Sequence, residues 1–531
     1  MTESRFDTGS LMAKALLLVP TLLAFFLLLY FIALMHKPSA NAWAFTSDGA
    51  YFDLAVARTL SGQGFLGLGE TGRIPATSDT LWQLVLSAVQ SMVSNPVAAP
   101  VLLSCVMAVW LLFKVRTWPL LVRPESPLLP ILLMVAVSSS LAADVLGGRS
   151  MVVASVLTLL MLVSYAEGMP RERWPLSPLA AWWAGLAMLV RVEMLVIWLA
   201  LVVHALAIGH FREGRGQGVV FPLCRFVVGL LVVGLVLTPA IAWNLSLLAN
   251  PWPRFPDAPM SLDAWSTQPP GLTFATSLKL SLSAMWGSYF RAFTVPILRG
   301  FLPLAFMLVG LVVSLQEARR DHTRLVGTLG LALLLVPLLF ALIYPYVGWG
   351  AADHVFRALQ PAWAVWIALG VVYTADFLGQ RLSPSAKKEM PWLTPQGMAV
   401  GLFALLILSG FGLNLATGRD DARQLARQQS LRDRVNNELG PVQEHQVVAS
   451  DRIGWMAYTR GGRFLDLTGR VTPIILAYRT QAGWQGGQAA GYLRQKGVTH
   501  LVLFAEEYAY AESALTGQAL SGNLPRVSRV R

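Results

Sequence analysis

Residues 16–35 read LLLVPTLLAFFLLLYFIALM and contain no charged side chain. A stretch of about 20 apolar residues is long enough for a helix to cross the roughly 30 Å hydrocarbon layer of a bilayer. The residues that follow, Met35-His36-Lys37-Pro38, do not resemble the small-residue site at which signal peptides are cleaved. The sequence therefore predicts a retained first transmembrane helix.

The composition extends this interpretation to most of the chain. Charged residues make up 13% of the 531 residues, against about 25% in a typical soluble domain, and the mean hydropathy is +0.56. The net charge of +12 does not indicate nucleic-acid binding, because Lys and Arg collect in the cytoplasmic loops of membrane proteins. Cys105 and Cys224 form neither a disulfide framework nor a zinc motif. A lipid bilayer is thus an expected partner, and nucleic acid is not.

The basic loops predict the topology. The positive-inside rule predicts that the N-terminus lies on the cytoplasmic side of the membrane and the C-terminal part on the opposite side. Residues 80–93 are expected to lie along the outer interface, because a crossing there would carry the basic loop 114–126 outside. About eleven transmembrane helices result, near residues 16–35, 97–113, 127–144, 151–167, 177–190, 194–209, 219–248, 296–315, 325–344, 356–378 and 397–416.

One pair of these spans leaves an alternative open. Residues 177–190 and 194–209 are each barely long enough to cross a bilayer. If they formed one long helix, every later segment would change sides. The basic loops 316–324 and 380–391 would then lie outside, against the positive-inside rule. Two crossings are therefore expected.

The amino-acid composition of the chain changes near residue 419. Residues 1–418 are expected to form an all-α polytopic membrane domain with an outer loop at 36–96. Residues 419–531 carry more charge and are expected to form a small α/β soluble domain on the extracytoplasmic side. Strands are predicted at 446–450, 463–467 and 500–504, and helices at 420–439, 473–482 and 486–496.

A first candidate group directly follows the first span. Ser47 is a favourable N-cap, so Asp48 is expected in the first turn of a helix, where the helix dipole favours an ionised carboxylate. Such a carboxylate can accept a proton from an attacking hydroxyl. The simpler alternative is that Asp48 only caps the helix. Asp53 faces another side of the same helix and is interpreted as structural.

A second candidate group lies at residues 348–357. Asp353 and Arg357 are four residues apart and would share one face of a helix. The fixed positive charge of Arg357 suits a phosphate, and His354 is a candidate to assist it; a local ion pair between Asp353 and Arg357 is the alternative. Arg191 and Glu193 are expected to pair within the helix bundle, where a purely structural ion pair is again the alternative.

These residues occur in an order that resembles the GT-C superfamily of polyprenyl-phosphate-sugar-dependent glycosyltransferases. The similarity is greatest to a bacterial branch that is arabinofuranosyltransferase-like or mannosyltransferase-like. The similar stretches are Asp48-Gly49-Ala50-Tyr51, Ala57-Arg58-Thr59-Leu60, Gly62-Gln63-Gly64-Phe65, Thr77-Ser78-Asp79-Thr80-Leu81-Trp82, Gly185-Leu186 with Arg191-Val192-Glu193, residues 350–361, Asp451-Arg452-Ile453-Gly454 and Leu465-Asp466-Leu467-Thr468-Gly469.

The resemblance implies a GT-C-like membrane domain and an inverting transfer of a sugar, with arabinofuranose favoured. The donor would be a polyprenyl-phosphate sugar, and the acceptor would be a hydroxyl group of a glycan or protein. The transfer would take place at the outer face of the membrane. The superfamily allows a divalent metal, but the sequence contains no ligand cluster that requires one. The implied site residues are Asp48 as general base, Arg357, His354 and Arg191 at the donor phosphate, and Tyr51, Arg58, Asp353 and Glu193 in support.

Other functions remain open at this point. A transporter or flippase for polyprenyl-linked sugars often has pseudo-repeated halves and charges at the membrane midplane; this sequence shows no such halves, and its unusual charges cluster on one side. A non-catalytic scaffold whose outer domain binds polymer is a third class. Within enzymes, mannose or another hexose could be transferred to a surface protein or to a lipid-linked glycan.

Overall fold

The computed structural model describes residues 8–35, 45–76, 79–93, 95–118, 128–138, 141–169, 176–212, 220–248, 273–286, 301–316, 321–347, 350–381, 394–468, 472, 475, 488–504, 515 and 526–530. Within these ranges, the side chains of residues 8–17, 69, 209–212, 220–223, 225, 248, 301, 321–323, 343–347, 350–353, 489 and 526 are not described.

Helices make up most of the described residues before Gly440. They are α1 (Thr8–Met35), α2 (Asp48–Gln63), α3 (Thr80–Gln90), α4 (Ala99–Val115), α5 (Leu128–Ala136), α6 (Leu141–Leu146), α7 (Met151–Gly168), α8 (Pro178–Val190), α9 (Leu195–Arg212), α10 (Val220–Leu248), α11 (Phe274–Met285), α12 (Phe301–Gln316), α13 (Asp321–Leu333), α14 (Val336–Val347), α15 (Gly350–Arg381) and α16 (Pro395–Leu439).

The helices have the length and composition of a polytopic membrane protein. Among the described residues, seven helical stretches are long and apolar enough to cross a membrane, and three shorter apolar helices accompany them. The structure thus confirms an all-α, multi-pass membrane part. The total of about eleven spans stays a prediction.

The segment after α1 contains the two helices that hold the first candidate group. Helix α2 begins at Asp48, as the sequence predicts, although the side chain of Ser47 makes no capping hydrogen bond. The helix ends at Gly64, whose φ of 76° is left-handed and is favoured by glycine. Helix α3 coincides with the stretch predicted to lie at the membrane interface.

Two helices lie at the centre of the bundle. The span of α7 is 83% buried and that of α15 is 89% buried, whereas those of α10 and α16 are each 22% buried. Helix α15 packs closely against α12 through two glycines, Gly370 and Gly310. A Cβ at Gly370 would meet the carbonyl of Phe306, and one at Gly310 would meet that of Trp366. Small residues of this kind let two membrane helices approach closely.

Gly370→Ala is expected to destabilise the bundle by about 1–3 kcal/mol, because the added methyl group would meet the backbone of α12, which has little room to move. The measurement is thermal unfolding in detergent. Gly401→Ala is the matched control, since a Cβ at Gly401 in α16 would meet open space. Equal melting temperatures for the two variants would contradict the close α12–α15 contact.

Helix α16 continues from its apolar half into a polar half without a break. It joins the predicted span 397–416 and the predicted polar helix 420–439 in one 45-residue helix. The proposed domain boundary between residues 418 and 419 therefore falls inside a continuous helix. Through this helix the last membrane span continues directly into the C-terminal part of the chain.

A small α/β unit follows α16. Its strands are β1 (Val447–Ser450), β2 (Arg463–Asp466), β3 (His500–Leu503) and β4 (Arg526–Arg529), and its helices are α17 (Gly454–Thr459) and α18 (Gln488–Gln495). The strand order is β2-β1-β3-β4. Strand β1 is parallel to β2 and to β3, and β4 is antiparallel to β3. We call this part the sheet unit.

The sheet unit confirms the predicted α/β class and its first three strands. Strand β4 and helix α17 were not predicted. The helix predicted at 473–482 lies outside the described residues, except for Ile475. The unpredicted helix α17 follows β1 and packs against α2, so it is one of the elements that join the sheet unit to the membrane part.

Candidate functional site

The carboxylate of Asp48 is bound by the sheet unit. Its Oδ2 accepts a hydrogen bond from the amide of Gly454 at 3.0 Å, and its Oδ1 accepts one from the amide of Trp455 at 3.0 Å. These amides open α17 and have no partner within their own helix. Each carboxylate oxygen has a second lone pair, so Asp48 can still accept a proton while the two amides hold it.

An arginine from the polar half of α16 lies beside this contact. The guanidinium of Arg432 is buried and stands 4.8 Å from the ring centre of Tyr51 and 5.9 Å from that of Trp455. It donates to the carbonyl of Phe45 at 3.0 Å, and the Tyr51 hydroxyl accepts the amide of Phe45 at 3.1 Å. Tyr51, predicted to support the site, therefore links α2 to Arg432.

The surroundings of Asp48 alter its acidity. Burial raises the pKa of the Asp48 carboxyl above its ordinary value, while the amides of Trp455 and Gly454 and the charges of Arg432 and Arg452 oppose part of that rise. A carboxylate with a raised pKa takes up a proton more readily than an exposed one does. The electrostatic setting therefore suits a proton acceptor.

Two further contacts join the sheet unit to the membrane part. Arg58, predicted to support the site, donates to the carbonyl of Tyr458 at 2.9 Å and lies 4.1 Å from the centre of its ring. The hydroxyl of Thr71 donates to the carbonyl of Phe464 at 3.3 Å and accepts its amide at 3.0 Å. Arg58 thus contributes to docking the sheet unit on α2.

A second group of charges is centred on Arg191, between α8 and α9. Its guanidinium lies 3.3 Å from Asp79 and donates to the hydroxyl of Ser150 at 2.9 Å. Ser150 in turn donates to Asp79 at 2.7 Å. The predicted pair with Glu193 is present at 3.9 Å. Arg191 therefore ties the segment before α3 to the start of α7, in addition to its predicted partner.

The first turns of α15 add two basic residues to this group. The Nδ1 of His354 lies 3.0 Å from Oε1 of Glu193, whose other oxygen is buried without a hydrogen-bond partner among the described residues. Arg357 binds Asp144 of α6 at 3.0 Å, a partner that the sequence did not predict. The side chain of Asp353 lies outside the described residues, so its pairing with Arg357 stays a prediction.

The side chain of Arg357 reaches a cleft between the helices. Asp144 and Arg357 line it together with Ser138, Ser155 and Gln360. The hydroxyls of Ser138 and Ser155 donate to backbone carbonyls of their own segments. Their oxygens can therefore accept hydrogen bonds, so the cleft combines a guanidinium with several acceptors.

Several carboxylates surround Arg191 among the described residues. Four carboxylates act on it electrostatically, those of Asp79, Glu193, Asp53 and Asp144, and Arg357 is the second guanidinium of the group. Buried carboxylates need positive charge nearby, and Arg191 supplies such a charge here. Among the described residues, no group of three or more His, Cys, Asp or Glu side chains could hold a metal ion.

Helix α2 connects the two groups. Asp53, buried and bound by Gln83 at 2.8 Å, is within electrostatic reach of Arg191 and lies five residues, or about 7.5 Å of helix, beyond Asp48. No described contact joins Asp48 to Arg357. The structure therefore places the candidate base and the candidate phosphate ligands at one end of the bundle, in neighbouring groups.

Some residues of the site were not predicted from the sequence. Asp144 is the one charged residue in 128–146, and this could have marked it, since a charge within an apolar span is a functional candidate. Asp79 was recognised only as part of a motif. Arg432 lies in a helix end with several other arginines, so nothing in the sequence singles it out.

Comparisons with known proteins give the fold. No family model matches the sequence, and no curated protein matches it. Among solved structures, ArnT from Cupriavidus metallidurans bound to undecaprenyl phosphate matches with a TM-score of 0.55 at 14% identity, over 99% of this chain and 98% of that chain. The apo oligosaccharyltransferase of Archaeoglobus fulgidus matches with a TM-score of 0.52 at 12% identity, over 93% of this chain and 71% of that chain.

The similarity to ArnT includes both parts of the molecule, the helix bundle and the sheet unit that follows it, because nearly the whole length of each chain is aligned. At 12–14% sequence identity, the similarity to these structures shows the fold alone. Together with the apolar helices, it shows that this chain has a multi-pass membrane fold similar to that of ArnT, in agreement with the predicted GT-C-like fold.

Proposed function

We propose that the chain is an inverting glycosyltransferase that moves a sugar from a polyprenyl-phosphate donor to an acceptor hydroxyl. The observation that carries this proposal is the end-to-end match with ArnT, whose crystal structure contains undecaprenyl phosphate. A transfer of this kind needs a base for the acceptor and an anion site for the departing lipid phosphate. The two charged groups joined by α2 can supply them.

Asp48 is the proposed general base. It would accept the proton of the acceptor hydroxyl as that oxygen attacks the anomeric carbon of the donor sugar. The bond from this carbon to the phosphate oxygen breaks at the same time, and the phosphate leaves with the electron pair. Attack opposite the leaving group inverts the anomeric configuration. The two amides that hold Asp48 support this role.

Arg357 is the proposed main ligand of the phosphate. Its side chain is 30% exposed and lines the cleft, whereas Arg191 is 13% exposed and lies among acids. His354 turns Nδ1 towards Glu193, which leaves Nε2 for a ligand. Arg191 would assist by its charge. A bound phosphate would share the guanidinium of Arg357 with Asp144.

Arg357→Gln is expected to raise the KM for the polyprenyl-phosphate donor by about tenfold or more, because a hydrogen bond to a charged group contributes about 1.5–3 kcal/mol. The measurement is the initial rate of transfer against donor concentration. Arg381→Gln is the matched control, since Arg381 is exposed at the opposite end of the same helix. An unchanged KM in Arg357→Gln would exclude Arg357 from the phosphate site.

The proposed sugar is arabinofuranose, on the strength of the sequence motifs alone; mannose or another hexose is the alternative. The proposed acceptor is a glycan or a protein, and the proposed place is the outer face of a bacterial cytoplasmic membrane, with the N-terminus inside and the sheet unit outside. No step is assigned to a metal.

The experiment uses the full chain reconstituted in liposomes. Labelled polyprenyl-phosphate arabinofuranose or mannose is added as donor, and envelope glycans extracted from a strain that lacks the chain serve as acceptor. We expect a new glycoside, detected by mass spectrometry, whose anomeric configuration is inverted relative to the donor. Movement of the lipid-linked sugar across the bilayer without formation of a glycoside would favour a flippase. If the protein neither formed a glycoside nor moved the lipid-linked sugar, a scaffold would be favoured.

A further inference from the structure

We infer that the sheet unit is part of the active site, with the backbone amides of Gly454 and Trp455 positioning the Asp48 carboxylate for proton transfer. This inference rests on the proposed function. It makes Gly454 a positioning residue that acts through Asp48. It also gives the sheet unit a role in the chemical step, beyond any binding of an acceptor.

Two hydrogen bonds fix the orientation of the Asp48 carboxylate. One amide binds each oxygen of Asp48, both at 3.0 Å, so the carboxylate can neither rotate nor tilt without losing a bond. The remaining lone pairs then point in fixed directions. Because reaction rates depend strongly on the position of the reacting groups, a fixed carboxylate favours proton transfer at one place.

Helix α17 packs closely against α2 at Gly454. A Cβ on this residue would meet the backbone carbonyl of Asp48, and it would lie 2.7 Å from the amide of Phe52 and 2.9 Å from its Cβ. The obstacles are backbone atoms of α2, which cannot turn away as a flexible side chain can. Only glycine lets α17 come near enough for its first amides to reach the carboxylate.

The other contacts show that this approach is built into the fold. The bond from Arg58 to the Tyr458 carbonyl holds the far end of α17. The paired bonds between Thr71 and Phe464 hold β2. Arg432 lies between Tyr51 and Trp455 and so connects α2, α16 and α17. The sheet unit is therefore held on α2 at several points around Asp48.

The amides also affect the acid–base behaviour of Asp48. Hydrogen bonds to the charged form of a carboxyl lower its pKa, and the amides of Trp455 and Gly454 act in this direction on Asp48. Burial is the larger influence and raises the pKa of Asp48, so loss of these bonds raises that pKa further as long as Asp48 stays buried. Because a general base works only when it is deprotonated, the acidic limb of the pH profile of kcat would then move to higher pH.

The test is Gly454→Ala in the full-length protein. We expect kcat for sugar transfer to fall by about 100-fold, the KM for the donor to stay near that of the wild type, and the acidic limb to move to higher pH. Gly491→Ala is the matched control, because Gly491 lies in α18 and a Cβ there would meet open space. A purely structural effect would reduce the amount of active enzyme without moving the limb.

If Gly454→Ala does not fold, Thr71→Val provides the test. It removes the two bonds to Phe464 without touching Asp48 and keeps the shape of the side chain. A fall of kcat of about two- to fivefold, with the acidic limb shifted in the same direction as in Gly454→Ala, supports the inference. An unchanged kcat and limb would overturn it.

The outcomes separate this inference from the proposed function. Full transfer with an unshifted acidic limb in Gly454→Ala overturns the role of the sheet unit and leaves the transferase proposal standing. A wild-type protein that transfers no sugar from either donor overturns the proposed function, and the inferred role of the amides with it.

Discussion

Asp48→Asn is expected to lower kcat for sugar transfer by about 10²–10⁴-fold, the usual contribution of a general base. Asparagine has nearly the same shape as aspartate but cannot take up the proton of the acceptor hydroxyl. The measurement is product formation in liposomes at saturating donor. The KM for the donor should change little, because the proposed phosphate ligands belong to the neighbouring group around Arg191 and Arg357.

The control for this prediction is Asp433→Asn. Asp433 is exposed on the polar half of α16, next in sequence to Arg432, and has no role in the proposed mechanism. The melting temperature of both variants should be measured, because an amide at position 48 also weakens the contact with the first amides of α17. An Asp48→Asn protein with wild-type kcat would remove Asp48 from the mechanism.

Arg191→Met is expected to lower the free energy of unfolding by about 3–5 kcal/mol, the usual effect of leaving a buried charge without its partner. In the wild type, Arg191 lies within electrostatic reach of four carboxylates, and Asp79 and Glu193 are both buried. Methionine fills a similar space but compensates none of these charges. Unfolding in detergent by heat or denaturant gives the measurement.

Two further variants test whether charge is the cause. Arg423→Met removes an exposed ion pair with Asp420 and should change the stability by less than about 1 kcal/mol. The double variant Arg191→Met with Asp79→Asn should recover part of the lost stability, since it removes one of the uncompensated acids. If the double variant were less stable than the single one, packing and not charge would explain the effect of Arg191.

Much of the fold could be predicted from the sequence because the signals are local. A helix that crosses a bilayer must be long and apolar, so α1, α7 and α10 can be recognised in the sequence as continuous apolar segments. The strands β1, β2 and β3 are also short apolar runs bounded by turn residues. Strand β4 and helix α17 were missed because neither has an apolar period long enough to recognise.

The candidate site could be predicted only in part. Asp48 at the start of α2, and His354 and Arg357 three residues apart on α15, are visible as charged residues beside apolar spans. Their partners are not visible in this way. Asp48 is bound by an amide 406 residues later, and Arg357 is paired with an acid 213 residues earlier. No periodicity in a sequence encodes such a distance.

The amino-acid sequence alone determined that this protein is a bundle of membrane helices followed by a small α/β unit, because hydrophobic length and alternation act within single segments. Only the tertiary structure decided which charges meet. It brought the first amides of α17 to Asp48 and surrounded Arg191 with acids from separate segments. The reason is physical: a buried charge must find its partner in space, and the folded chain, not the order of residues, sets which group is near.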